Sequence, residues 1–247
     1  MTAPSVCVSM PTYDTMQVAT CLSLIKTMDK LTAAKVKATI NTFKCPYVGY
    51  GRNVLTAMFL ESNMNYQLFV DADVEFEPEV IGRMLLADKD IICAPYRKKT
   101  QDNSVKFSVA FPVSWGQNEI FVDKKGIAEI SKGPAGFTLI KRSVYEKLIK
   151  ARPDLKIKQK EIISDKANEY FYNFWDTSFD KESGFWWGED VNFCNHVKEN
   201  DIKVHALVDA VTTQITPEML IKAAQGKMSP EEAQAYADAL KAGQATV

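Results

Sequence analysis

Two pairs of acids carry the chemistry that this chain could perform. Asp71 and Asp73 stand one residue apart at the end of an apolar run, FVDADVEF. Side chains alternate faces along a strand, so a strand running through both would point both carboxylates the same way. Like charges that close repel unless a cation lies between them, and hard carboxylate oxygens suit Mn²⁺ or Mg²⁺. The second pair, Glu189 and Asp190, opens the stretch GEDVNFCNHVKEN. Acids in the first turn of a helix are favoured by the dipole alone. Here, however, Trp186 and Trp187 come just before them, and an aromatic face beside a carboxylate can stack a sugar or desolvate a general base.

The elements that must position these acids follow from periodicity and punctuation. Residues 5–10 predict a strand stopping at Pro11, residues 15–33 a helix, 37–43 a strand and 53–63 a helix. The run YQLFVDADVEF predicts the next strand, followed by a helix over 78–87 opened by Pro78 and a strand over 90–96. Alternating strands and helices predict an α/β fold with a largely parallel sheet, whose ligands bind beyond the carboxyl ends of the strands. Pro11–Asp14 and Asp71–Asp73 both fall at such ends. Between 105 and 130 the pattern shortens to that of a hairpin or antiparallel pieces, and 133–148 reads as a turn, a strand and a helix. Residues 153–183 form a long aromatic-rich stretch, of the kind that is functional or disordered, and the aromatics argue against disorder. Beyond it SPEE (229–232) is a capping box, so 216–247 reads as a helical C-terminal tail suited to docking on its own domain or to self-association.

The chain has 247 residues, 46% of them hydrophobic and 25% charged, with a net charge of −1. That is ordinary for one large soluble domain and gives no general reason to expect nucleic acid. Five dispersed cysteines without a C-x-x-C spacing argue for reduced thiols and against a zinc site or a disulfide framework. No apolar run approaches the ~20 residues of a membrane helix, and the start lacks a signal-peptide pattern. The expectation is a soluble, cytoplasmic protein.

Taken in order, VCVSMPTYD, GRN at 51–53, FVDADVEFEP, GPAGFTLIKRSVYEKL and GFWWGEDVNFCNHVKEN resemble the GT-A fold glycosyltransferases, nearest to small soluble bacterial and viral enzymes of that type. The resemblance covers about residues 5–214. It implies a three-layer α/β/α domain over 1–215, with a donor half to about 100 and an acceptor half after it, a mainly parallel sheet and a short antiparallel piece. It implies a UDP- or GDP-sugar donor, a glycan or other hydroxyl acceptor, and Mn²⁺ or Mg²⁺. Pro11, Thr12, Tyr13 and Asp14 would line the nucleotide pocket, and Arg52 and Asn53 would hold the nucleotide side of the donor. Asp71 would contact ribose or a metal-bound water, with Ala72 between it and Asp73, the metal ligand. Gly136 and Phe137 would border the acceptor, with Trp186 and Trp187 facing it. Asp190 would be the general base of an inverting transfer, with Glu189 its nearest competitor. Related enzymes often add a histidine ligand after the E-D helix; here Gln214 stands near that place, and His205 comes too early and reads as a packed residue. His196 reads as a surface residue, and YRKKT (96–100) equally as a basic loop at the diphosphate or as a solvated run.

Two rival readings remain on sequence grounds. A haloacid-dehalogenase-type phosphatase would use Asp71 as nucleophile and Asp73 as general acid, and requires the motif on the first core strand. A sugar-binding module without turnover would keep the fold alone.

Overall fold

The computed structural model describes residues 4–96, 121–161, 163–208 and 210. A seven-stranded sheet is built from β1 (Ser5–Thr12), β2 (Lys37–Lys44), β3 (Tyr66–Val70), β4 (Ile91–Cys93), β5 (Ile127–Ile130), β6 (Phe137–Lys141) and β9 (Val204–Leu207). A two-stranded antiparallel sheet pairs β7 (Ser178–Phe179) with β8 (Trp186–Trp187). The helices are α1 (Val18–Ala33), α2 (Val48–Glu61), α3 (Pro78–Ala87), α4 (Arg142–Ala151), α5 (Asp165–Glu169) and α6 (Glu189–Lys198). The strand order is β2-β1-β3-β6-β4-β9-β5. Pairings are parallel for β1 with β2 and β3 and for β4 with β9, so five strands run one way and β6 and β5 run against them. The fold is a three-layer α/β/α arrangement with a mainly parallel sheet.

Alternation along the strands divides the core cleanly. Val6, Val8, Met10, Leu68, Val70, Ile92 and Leu139 face α1 and α3, where Leu24, Val80, Ile81 and Met84 meet them. Cys7, Phe69, Ile91, Cys93 and Ile140 face α2, α4 and α6, against Leu55, Phe59, Tyr145, Leu148, Phe193 and Val197. One residue's step in register would exchange these faces, so burial on both sides fixes the register.

Several element boundaries differ from those expected. β1 passes through Pro11 to Thr12, because its pairing with β3 ends at Ser9 and only β2 accompanies it further. A residue without an N–H is tolerated where one side of the strand is unpaired. α1 begins at Val18 rather than near 15. α2 begins at Val48, so Arg52, expected just before the helix, lies inside it. Gly49 weakens helix propensity, yet a methyl at that position would collide with the carbonyl oxygen of Trp175. Close packing therefore requires a glycine here despite its cost to the helix. β3 ends at Val70, so Asp71 and Asp73 lie on the turn after it and strand alternation does not orient them. β4 covers only Ile91–Cys93. The stretch 153–183 contains a 3-10 turn at Pro153–Leu155, α5 and β7 within an ordered, aromatic-packed segment. Of the antiparallel stretch expected over 105–130, residues 105–120 lie outside the described residues, as do Gln214 and the tail 216–247, while 127–130 form β5, antiparallel to β9.

Candidate active site

One edge of the sheet gathers the ends of chemical interest. The parallel strands β1 and β3 deliver Thr12–Asp14 and Asp71–Asp73 to it. β6, running the other way, delivers its starting residue, and the Asp71 N–H donates to the Gly136 carbonyl at 2.8 Å. The Ala94 N–H donates to the Phe137 carbonyl at 3.1 Å, which brings Tyr96 to the same edge. The Gln17 N–H donates to the Ala72 carbonyl at 2.9 Å and ties the start of α1 to this turn. α6 then points its first turn, Glu189 and Asp190, toward that edge.

Arg52 joins the two acid pairs. Its side chain is 2% exposed, and Nη2 donates to Asp71 Oδ1 at 2.8 Å while Nε lies 3.7 Å from Glu189 Oε1. Its guanidinium carbon sits 5.2 Å from the Phe69 ring centre and 5.8 Å from that of Trp175. A guanidinium is suited to this place because it is planar, permanently charged and weakly hydrated. The acids on either side compensate its burial, which alone would be costly. Arg52 is thus placed beneath the site as a connector, with Nε and Nη1 making no hydrogen bond of their own.

The neighbouring residues occupy distinct places. A methyl on Gly136 would run into Asp71 Oδ2 and the Tyr96 hydroxyl, so backbone, carboxylate and phenol converge there. Burial, then the charge of Asp71, push the Tyr96 phenol upward, with Asp190 adding to this and Arg52 opposing it. Tyr96 therefore stays an O–H donor among carboxylates. Asp190 Oδ1 accepts from the Val191 N–H at 2.7 Å. Asp190 also lines a small, mostly apolar cavity with Cys93, Gly133, Trp175, Phe193 and Cys194. Burial raises the Cys194 thiol to about 11, so it is an inert wall rather than a nucleophile. Asp73 is exposed on its turn.

At the nucleotide side, Tyr13 is 68% exposed, and Lys44 lies 6.0 Å from its ring and 2.8 Å from Asp14. Pro11 and Thr12 are half-buried at the end of β1. Asn53 faces elsewhere: it is 2% exposed, its amide nitrogen donates to Asn173 and its oxygen accepts from the Trp175 N–H. It pins the aromatic segment to α2. Phe137 lies within the core, 3% exposed, its ring 4.6 Å from that of Phe76.

No family model and no curated protein matches the chain. Two solved structures resemble it in chain course. One is A197 from STIV, at 20% identity and a TM-score of 0.44, covering 82% of this chain and 81% of that one. The other is a glycosyltransferase involved in the glycosylation of the major capsid of PBCV-1, at 10% identity and a TM-score of 0.34, covering 90% and 100%.

The two tryptophans separate. Trp186 pairs across the hairpin with Phe179 and is 66% exposed, while Trp187 lies under Lys132 Nζ at 4.2 Å. The hairpin runs directly into Gly188, Glu189 and Asp190. His196 is nearly buried, with 12% of its side chain exposed against Asp176, contrary to a surface placement. His205 is half-buried in β9, where burial lowers its imidazole. The sequence reading held Tyr96 only as part of YRKKT and Trp175 only as part of the aromatic-rich stretch, with no site role of its own for either. The first follows an apolar run at its carboxyl end, and that position was a usable signal. The five cysteines are free thiols. Among the described residues no helix is long and apolar enough to cross a membrane. FVDADVEF follows the third strand of the chain, so the first-strand placement that a haloacid-dehalogenase phosphatase requires is not met.

Proposed function

We propose that the chain is a glycosyltransferase that moves a sugar from a UDP- or GDP-sugar to a hydroxyl of a glycan or similar acceptor, with inversion. The observation that carries this reading is the meeting of two acid-bearing ends, Asp71–Asp73 and Glu189–Asp190, across the buried Arg52. Tyr13, Asp14 and Lys44 at the ends of β1 and β2 suit a nucleotide, offering a ring face and mixed charge.

Among the described residues no three of His, Cys, Asp and Glu cluster closely enough to hold a divalent ion by themselves. Asp71 Oδ1 accepts from Arg52, and Asp71 Oδ2 and the Asp73 carboxylate are hard oxygens on the same turn. These fit Mn²⁺ or Mg²⁺ arriving with a diphosphate that completes the shell, Asp73 being the main protein ligand. When bound, the ion would supply charge neutralisation of the diphosphate leaving group.

The protein's own groups then divide the work. Glu189 is engaged by Arg52, whereas no ion pair engages Asp190 among the described residues. Asp190 is therefore the base. It takes the proton as the acceptor oxygen bonds to the anomeric carbon, while the bond from that carbon to the diphosphate oxygen breaks and the nucleoside diphosphate leaves. Trp187 and the hairpin before Gly188 border the acceptor.

A thermal-shift panel of UDP- and GDP-sugars with and without Mn²⁺ tests the reading, because a ligand raises the melting temperature according to its affinity. One donor is expected to stabilise the protein, more so with Mn²⁺, and Asp73→Asn is expected to remove the metal-dependent part. Asp190→Asn should keep the donor shift and lose transfer. Stabilisation without turnover by the unmodified protein would make it a binding module, and no stabilisation by any nucleotide sugar would reject the reading.

A further inference from the structure

Behind the two acids, α6 carries polar groups that the proposed chemistry does not use. Asn192 and His196 lie four residues apart and share one face of the helix. Both reach Asp176, the residue after Trp175. His196 Nε2 is 3.0 Å from Asp176 Oδ1, and the Asn192 amide donates at 3.3 Å to that oxygen and at 3.3 Å to the Asp176 carbonyl. Ser178 Oγ donates to Asn192 Oδ1 at 3.0 Å. On the other side of the ring, Nδ1 lies 3.2 Å from Arg152 Nη1, at the end of α4.

A guanidinium can only donate, so Nδ1 is the acceptor and the imidazole proton sits on Nε2, toward Asp176. One neutral tautomer satisfies both neighbours. Arg152 is itself held by both carboxylate oxygens of Asp154, at 3.0 Å and 2.8 Å, and lies 3.6 Å from Glu199. The charged groups around the ring are therefore Asp176 from the aromatic segment and Arg152 from α4, with Asp154 and Glu199 behind Arg152.

We infer that His196 is a positioning residue: as a neutral Nε2–H imidazole it clamps α6 between the aromatic segment and α4, and so sets where Glu189 and Asp190 stand. The functional consequence rests on the proposed reading of those two acids. The lever is short. Trp175 stacks on Phe193 of α6 with ring centres 4.0 Å apart, lies 5.8 Å from the Arg52 guanidinium, and covers Gly49 with its carbonyl. A displacement of Asp176 against α6 is thus a displacement of Trp175 against Arg52. The clamp needs the neutral ring: with a proton on Nδ1 as well, a donor would face the Arg152 guanidinium, itself only a donor.

The test reads the ring and the helix separately from turnover. With only two histidines in the chain, ¹⁵N spectra of the imidazoles at pH 7.5 are expected to show His196 as the Nε2–H tautomer. On acid titration, the amides of Glu189, Asp190 and Asn192 should move with whatever midpoint the ring itself shows. His196→Gln can donate to Asp176 and accept from Arg152, so it should keep those amide positions and lose the titration. His196→Leu fills the space alone. It should move the amides and lower sugar transfer at least tenfold in kcat, with the donor KM unchanged. An Nδ1–H tautomer, helix amides that ignore the ring's titration, or a Leu variant equal to Gln would each overturn the inference. Absence of any turnover in the unmodified protein would reject the proposed reaction, and the spectra would still decide the role of His196.

Discussion

At Gly136 the backbone passes so close to Asp71 Oδ2 and the Tyr96 hydroxyl that a single methyl has no room. Neither neighbour can retreat freely, since Asp71 is bonded to Arg52 at 2.8 Å and Tyr96 is largely enclosed. Gly136→Ala is therefore expected to displace the Asp71 carboxylate. Overpacking of this kind costs about 1–3 kcal/mol of stability. The larger effect should fall on donor binding, weakened at least tenfold, as measured by calorimetric titration on a variant whose melting temperature shows it folded. A donor affinity equal to wild type would mean that Asp71 does not touch the donor. At this scale type and position agreed for Asp71, expected at the end of an apolar strand and found one residue past the end of β3 at Val70. The sequence was not legible for Asn53, because an amide looks the same whether it meets a ligand or, as here, Asn173 and the Trp175 backbone.

Helix α2 determines how the two acid pairs meet. Its first turn lies under Trp175 and beside Glu189, and its second presents Arg52. Gly49 permits that approach, with its missing Cβ facing the Trp175 carbonyl oxygen, a backbone atom that cannot swing aside. Gly49→Ala gains helix propensity of about 1 kcal/mol but must push the aromatic segment away. The expected outcome is a net loss of about 1–2 kcal/mol, read as a lower midpoint in urea with unchanged slope. A more stable variant would show that the segment yields easily. The same helix explains what periodicity missed. The helix was expected over 53–63, which set Arg52 ahead of it, whereas the helix starts at Val48 and holds Arg52 in its second turn. β6 was likewise found as an element but without a direction. An apolar run between two glycines and a helix does not reveal that its starting end, and not its finishing end, reaches the site.

The sheet separates the molecule into two halves with different duties. On the α1/α3 side the packing is aliphatic and aromatic, with Leu68 fully buried among Val6, Val8 and Ile81. On the α2/α6 side a buried polar chain runs from the Gln67 amide, bonded to Ser9 at 2.9 Å, to Thr56, which accepts from the Trp175 indole N–H at 3.2 Å, and so to the residue stacked beside Arg52. A buried donor stripped of its acceptor costs about 1–3 kcal/mol, and a Leu→Ala cavity about 2–5 kcal/mol. Leu68→Ala and Thr56→Val should therefore both lower the melting temperature, Leu68→Ala by the larger amount. Their effects on the site should run in the opposite order. Leu68→Ala opens space on the face away from Arg52, so the folded fraction should show the wild-type stabilisation by nucleotide sugar. Thr56→Val leaves the Trp175 N–H unsatisfied and shifts the ring that meets both Arg52 and Phe193, so its donor-induced thermal shift should shrink although less stability is lost. If both variants lose donor response in proportion to stability, the two faces are not independent, and the site is held by the whole sheet rather than by its α2/α6 layer.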